Sequence, residues 1–117
     1  MTQEEKDLLL KDLCARLPYG VKYNYDGYIG CDYTMNQVDC NTVDCTFLIE
    51  SVKPYLFHLS SMTEEQKKEW QPLMISGPYG ILYHTIYSFD YLYKNHIDFR
   101  GLIKKELALD ATGLNIY

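Results

Sequence analysis

The sequence predicts a small α+β fold, a single domain over residues 1–117. Its antiparallel sheet, a hairpin plus one or two further strands, packs against an N-terminal helix and short C-terminal helices. Three observations predict it. Leucines recur at helical spacing near the N-terminus, an Asp26-Gly27 turn separates two alternating segments, and β-rich runs over 46–59 give way to a helix-start signal. The length is that of one ordinary domain, about 100–150 residues.

The first helix starts at a capping box, Thr2 with Glu5 three residues on. Leu9, Leu13 and Leu17, with Leu10 and Cys14, form its apolar stripe. It should stop near Arg16, because Pro18 disfavours helical geometry at Leu17 and Gly20 follows. Around Asp26-Gly27 a two-residue turn would pair Tyr25 with Tyr28. A three-residue loop with Gly27 left-handed pairs Asn24 with Tyr28 instead. That register gathers Val21, Tyr23, Ile29, Cys31 and Tyr33 on one face, and it is the one expected.

Residues 36–44 read as a polar loop, 46–49 as a strand and 52–59 as another, with Pro54 at an edge or near its start. Thr63 and Gln66 form a second capping box, and Pro72 should end that helix near Gln71. Over 76–87 the tyrosines Tyr79, Tyr83 and Tyr87 recur every four residues. The aromatic and β-branched content nevertheless favours a strand followed by a helix from about Ser88 to Asn95. Asp98 should cap a last short helix through Lys105, and 107–109 should be extended.

Composition narrows function. A net charge of −5 and a pI near 5.0 argue against nucleic acid, whose binders carry a basic face. No window is apolar enough to span a membrane, and the polar, acidic start lacks a secretory pattern, so the expected location is cytoplasmic. Cys14, Cys31, Cys40 and Cys45 are then expected as free, buried thiols. Neither their spacing nor the Asp39–Asp44 run matches a zinc or calcium site, so no metal or cofactor is expected. A Cys/His pair drawing on His58, His84 or His96 would be the catalytic alternative, although no motif marks one. Twelve tyrosines exceed what a core of this size needs and point to an aromatic surface for a protein partner or self-association. The candidate binding residues are Tyr23, Tyr25, Tyr28 and Tyr33.

Residues 4–21, Val52-Lys53-Pro54-Tyr55-Leu56, 59–65 and Asp98-Phe99-Arg100-Gly101-Leu102-Ile103 resemble a group of short uncharacterised proteins of gut Bacteroidetes, often carried in prophages and mobile elements. The resemblance spans about half of the chain. It implies an intracellular accessory protein of the kind phages encode, and it brings no activity and no catalytic residues.

Overall fold

The computed structural model describes residues 1–25 and 33–117. Helix α1 (Gln3–Arg16) starts where the capping box places it: the Thr2 hydroxyl accepts from the Glu5 N–H at 3.1 Å and the Thr2 N–H donates to Glu5 Oε1 at 3.0 Å. A 3-10 turn over Leu17–Tyr19 follows, and Gly20 closes it at φ 69°, which glycine tolerates without strain. Strand β1 (Lys22–Tyr25) pairs antiparallel with β2 (Tyr33–Thr34).

The ladder sets Tyr23 opposite Tyr33, where the expected register would have set it opposite Ile29. The shift is by an even number of residues, so Tyr23 and Tyr33 still share a face. The Asn24–Tyr28 pairing and the Gly27 conformation lie outside the described residues. The stretch expected as a polar loop contains β3 (Thr42–Val43), which pairs with β4 (Phe47–Leu48). Asp44 and Cys45 turn between them at φ 53° and 58°. Successive left-handed residues match the twist of a tight hairpin, so the turn compensates for a composition poor in strand formers.

Strand β5 (Val52–His58) is the spine of the sheet. Pro54, expected at an edge or near a strand start, is the third residue of this central strand, and its second neighbour on the far side joins only from Tyr55 onward. Helix α2 (Glu64–Trp70) is capped by Thr63 and Gln66 and ends in a 3-10 turn at Pro72, as expected. A separate ribbon follows, β6 (Ile75–Ser76) with β7 (Leu82–Tyr83). Helix α3 (Ile86–Lys94) begins two residues before the expected Ser88. Thr85 is the cap, and Ser88 closes the box in place of Glu or Gln.

Strands β8 (Ile97–Asp98) and β9 (Leu109–Asp110) then join β5 in parallel, making mixed a sheet expected to be antiparallel. The α+β class holds. The last expected helix is instead a turn over 102–106. Asp98 caps it as anticipated, its carboxylate accepting from the N–H groups of Arg100, Leu102 and Ile103 at 2.9–3.1 Å. Glu106, left-handed at φ 63°, stops it after one turn.

The main core lies between α1 and the sheet and buries Leu9, Leu13, Val21, Tyr23, Ile49, Val52 and Leu56 among others. A smaller core of Met62, Leu92 and Ile97 sits under α2 and α3, with Trp70, Tyr91 and Phe99 packed on it. An ionic layer, invisible in the leucine pattern, ties α1 to the chain's C-terminal part. Asp12 and Arg16 are both fully buried. The Asp12 carboxylate accepts from Arg16 Nε and from Arg100 Nη1, each at 2.7 Å, and Arg16 Nη2 donates to the Ile97 carbonyl at 2.6 Å. Arg16 Nη1 has no hydrogen-bond partner among the described residues, but the guanidinium lies 5.3 Å from the Tyr93 ring centre and 5.9 Å from that of Phe99. Ring faces stabilise such a cation where water is excluded.

Beside this layer His96 ends α3 at φ 58° and stacks on Tyr117 with ring centres 3.6 Å apart. The Tyr117 hydroxyl in turn accepts from the Lys22 N–H and donates to the Tyr55 carbonyl, fastening the C-terminal residue to the sheet. Burial, and then the Arg16 charge, lower His96 from 6.5 to about 4. The unfolded chain therefore takes up this proton below pH 6.5, whereas the folded chain does so only near pH 4. Stability contributed by His96 should be fully present above pH 6.5 and should fall between 6.5 and about 4. Urea midpoints measured across that window should decline for the wild type, and His96→Gln should flatten the decline. An unchanged slope in the variant would count against a buried neutral imidazole.

Candidate functional site

The tyrosines singled out in the sequence differ in their surroundings. Tyr23 is fully buried and donates its hydroxyl to Asp44 Oδ2 at 2.5 Å. Burial, and then this carboxylate, push its phenol well above the ordinary range. Tyr25 is half-buried, with its ring 4.3 Å from that of Phe47, and Tyr33 lies 5.3 Å from the same ring. Tyr33 is the most open of the three at 41% exposure, and Tyr28 is outside the described residues. Phe47 thus gathers the hairpin tyrosines into an aromatic cluster that covers one end of the core. Tyr23 in particular offers no surface to a partner, because its ring is what β1 buries.

The cysteines also differ from expectation. Cys14, Cys40 and Cys45 are free but exposed. Cys14 points outward because the buried stripe of α1 runs through Leu9, Asp12, Leu13 and Arg16, rotated away from it by the inward ion pairs. None of the three lies in hydrogen-bond contact with an imidazole, and Cys31 is outside the described residues. His84 faces Ser88 at 3.2 Å and stacks on Phe89, His96 is sealed against Tyr117, and His58 lies 3.5 Å from Asp110. Asp39 and Asp44, the acidic pair weighed as a calcium loop, spend their oxygens on local N–H and O–H donors. Those donors hold Asp39 below the usual carboxylate range, the Asn41 and Thr42 N–H groups first.

Two clefts flank His58 at the carboxyl ends of β5 and β8, where open parallel sheets often take ligands. One, of about 200 Å³, is lined by Ser61, Met62, Thr63 and Gln66 among others. The other, of about 500 Å³, reaches Ser60, Asp98, Phe99 and Lys104. Asp98 is engaged in capping its turn, and the carboxylate that meets His58 is Asp110. No catalytic constellation is assembled there from the described residues.

The outstanding surface lies elsewhere, in the segment least readable from sequence. From Ile75 to Tyr87 seven large apolar side chains are exposed by half or more: Ile75, Tyr79, Ile81, Leu82, Tyr83, Ile86 and Tyr87. Ile75 faces Tyr83 across the ribbon and Ser76 faces Leu82, so the two pairs lie on opposite faces, and all four residues are exposed. An apolar ribbon wet on both faces has no core of its own. At its tip Tyr79 is held left-handed at φ 60° and is 99% exposed. That conformation costs a residue with a Cβ roughly 1–2 kcal/mol, and strain of this kind clusters at functional sites.

The ribbon's root is firm. Thr85 Oγ1 donates to the Leu73 carbonyl at 2.5 Å, and the Tyr83 ring lies over Gly77 so closely that a Cβ there would sit 2.0 Å from Tyr83 Cε2. One signal in the sequence could have located this arm: no Asp, Glu, Lys or Arg occurs between Glu69 and Asp90. Comparison with protein-family models, curated proteins and solved structures finds no match to this chain. Among the described residues, no helix is long and apolar enough to cross a membrane.

Proposed function

We propose that this chain is a non-catalytic binding module and that the uncharged arm from Ile75 to Tyr87 is its recognition surface. The observation that carries the reading is the exposure of seven large apolar side chains on one charge-free segment, with Tyr79 held in a strained conformation at its tip. Monomeric proteins seldom expose contiguous apolar patches beyond a few hundred Å², and tyrosine is a preferred interface anchor. The resemblance to proteins of gut Bacteroidetes prophages and mobile elements supports an intracellular, cytoplasmic accessory role, in which a binding surface is the working part.

Affinity capture from the cells that make the protein tests this when two baits are compared. Tyr79→Asn with Ile86→Ser removes two of the most exposed side chains, and Asn tolerates the left-handed position that Tyr79 occupies. Proteins retained by the wild type should be lost from this double variant. Equal retention by both baits would place recognition away from the arm and contradict the proposal.

A further inference from the structure

We infer that the slot walled by His96, Lys22 and Tyr55 is a binding site for an aromatic ring bearing a hydroxyl, which the chain closes with its own Tyr117. The slot shares no residue with the arm, so it stands apart from the recognition surface proposed above. The Tyr117 ring stacks on His96 with ring centres 3.6 Å apart and 11° between the planes. Its hydroxyl accepts from the Lys22 N–H at 2.8 Å and donates to the Tyr55 carbonyl at 2.7 Å. A flat ring face with one donor and one acceptor is what orients a small aromatic ligand.

The walls are set by the sheet and not by the residue that fills the slot. Strand β1 pairs with β5 as far as Pro54, and β8 joins from Phe57, so Tyr55 lies between the two pairings. His96 is placed by its own backbone. Its N–H donates to the Tyr93 carbonyl at 3.1 Å, and its carbonyl accepts from the Phe57 N–H at 2.8 Å. Its Nδ1 is buried with no hydrogen-bond partner among the described residues, a polar atom that Tyr117 does not use. Phe57 meets the Tyr117 ring at 6.0 Å and also lines the cleft of about 200 Å³, so slot and cleft share a wall.

The plug, by contrast, is lightly held. The Ala111 N–H donates to the Leu56 carbonyl, but the hydrogen bonds of residues 112–116 reach no further back than Asp110 among the described residues. Thr112, Gly113, Leu114 and Asn115 are exposed, and Gly113 and Asn115 are left-handed at φ 79° and 53°. Tyr117 itself is 41% exposed, so the slot is open to solvent along one side. A segment with local bonds and little burial opens at low free energy. A ligand that binds the open form alone then has its affinity reduced by the fraction closed.

Titration of the purified full chain with 4-methylphenol, followed by amide shifts in NMR, tests this. That probe carries the ring and hydroxyl of Tyr117 and nothing else that binds. Tyr117→Gly should bind it saturably, with the Lys22 amide among those shifted, and about tenfold or more tightly than the wild type, where Tyr117 competes. Toluene should bind the variant about tenfold or more weakly, because it offers the Lys22 N–H and the Tyr55 carbonyl no hydroxyl. Tyr117→Phe keeps the plug's ring but drops its hydroxyl, so it should bind 4-methylphenol more tightly than the wild type. It decides the matter if the glycine variant does not fold. No saturable binding by a folded Tyr117→Gly, toluene bound as well as 4-methylphenol, or Tyr117→Phe no better than the wild type would each overturn the site.

Discussion

Asp12→Ala should destabilise the protein by about 3–5 kcal/mol, the usual loss when one partner of a buried ion pair is removed. Asp12 is fully buried and is, among the described residues, the carboxylate that both Arg16 and Arg100 address, at 2.7 Å each. Without it two guanidinium groups are left near the core with less than their full complement of acceptors. Arg16 retains the Ile97 carbonyl and Arg100 retains the Tyr93 hydroxyl. Removing a neutral contact would cost far less than leaving these charges uncompensated. Arg100→Ala should cost clearly less than Asp12→Ala, because Arg100 is the partner nearest solvent, with 12% of its side chain exposed. Urea unfolding of the two variants checks both the magnitude and the order. A loss under about 1 kcal/mol for Asp12→Ala would mean that the triad is not buried as described.

Leu13→Ala should cost about 2–5 kcal/mol by combining lost transfer energy with the cavity left behind. Leu13 has no exposed surface and lies in the main core with Leu9, Val21 and Leu56. The rigid neighbour on the same face of α1 is the Asp12–Arg16 pair, which its hydrogen bonds fix in place, so collapse into the cavity is restricted. The upper half of the range is therefore expected. Cys14→Ala, one residue further on the exposed side of α1, should change stability little. A denaturant midpoint unchanged by Leu13→Ala would contradict the orientation of the helix.

Local signals were legible where both partners lie within one turn of chain. The Thr2/Glu5 and Thr63/Gln66 boxes are read directly from spacing, whereas Thr85/Ser88 was missed because serine closes the box in place of Glu or Gln. Strands β8 and β9 are two residues each and carry no alternation; only their pairing with β5 makes them strands. The burial of Asp12 and Arg16 has no local signal in the helix that carries them. What buries them is Arg100, 88 residues away, together with the rings of Tyr93 and Phe99. The excess of tyrosine did point to an aromatic surface, but composition does not tell which rings face inward. Phe47, distant in sequence, draws in the hairpin tyrosines, while Tyr79, Tyr83 and Tyr87 stay outside.

The central claim is that the arm's apolar side chains are spare to folding and are kept for recognition. The triple variant Tyr79→Asn/Ile86→Ser/Tyr87→Ser tests it most directly, by urea unfolding beside the wild type. Trp70, the only tryptophan, packs on the second core and reports unfolding by fluorescence at nanomolar concentration, where copies held together only weakly are apart. The account predicts a loss of no more than about 0.5 kcal/mol, as for surface changes away from structural contacts, with any relief of strain at Tyr79 acting in the stabilising direction. A loss of about 2 kcal/mol or more would assign these side chains to the core and contradict it.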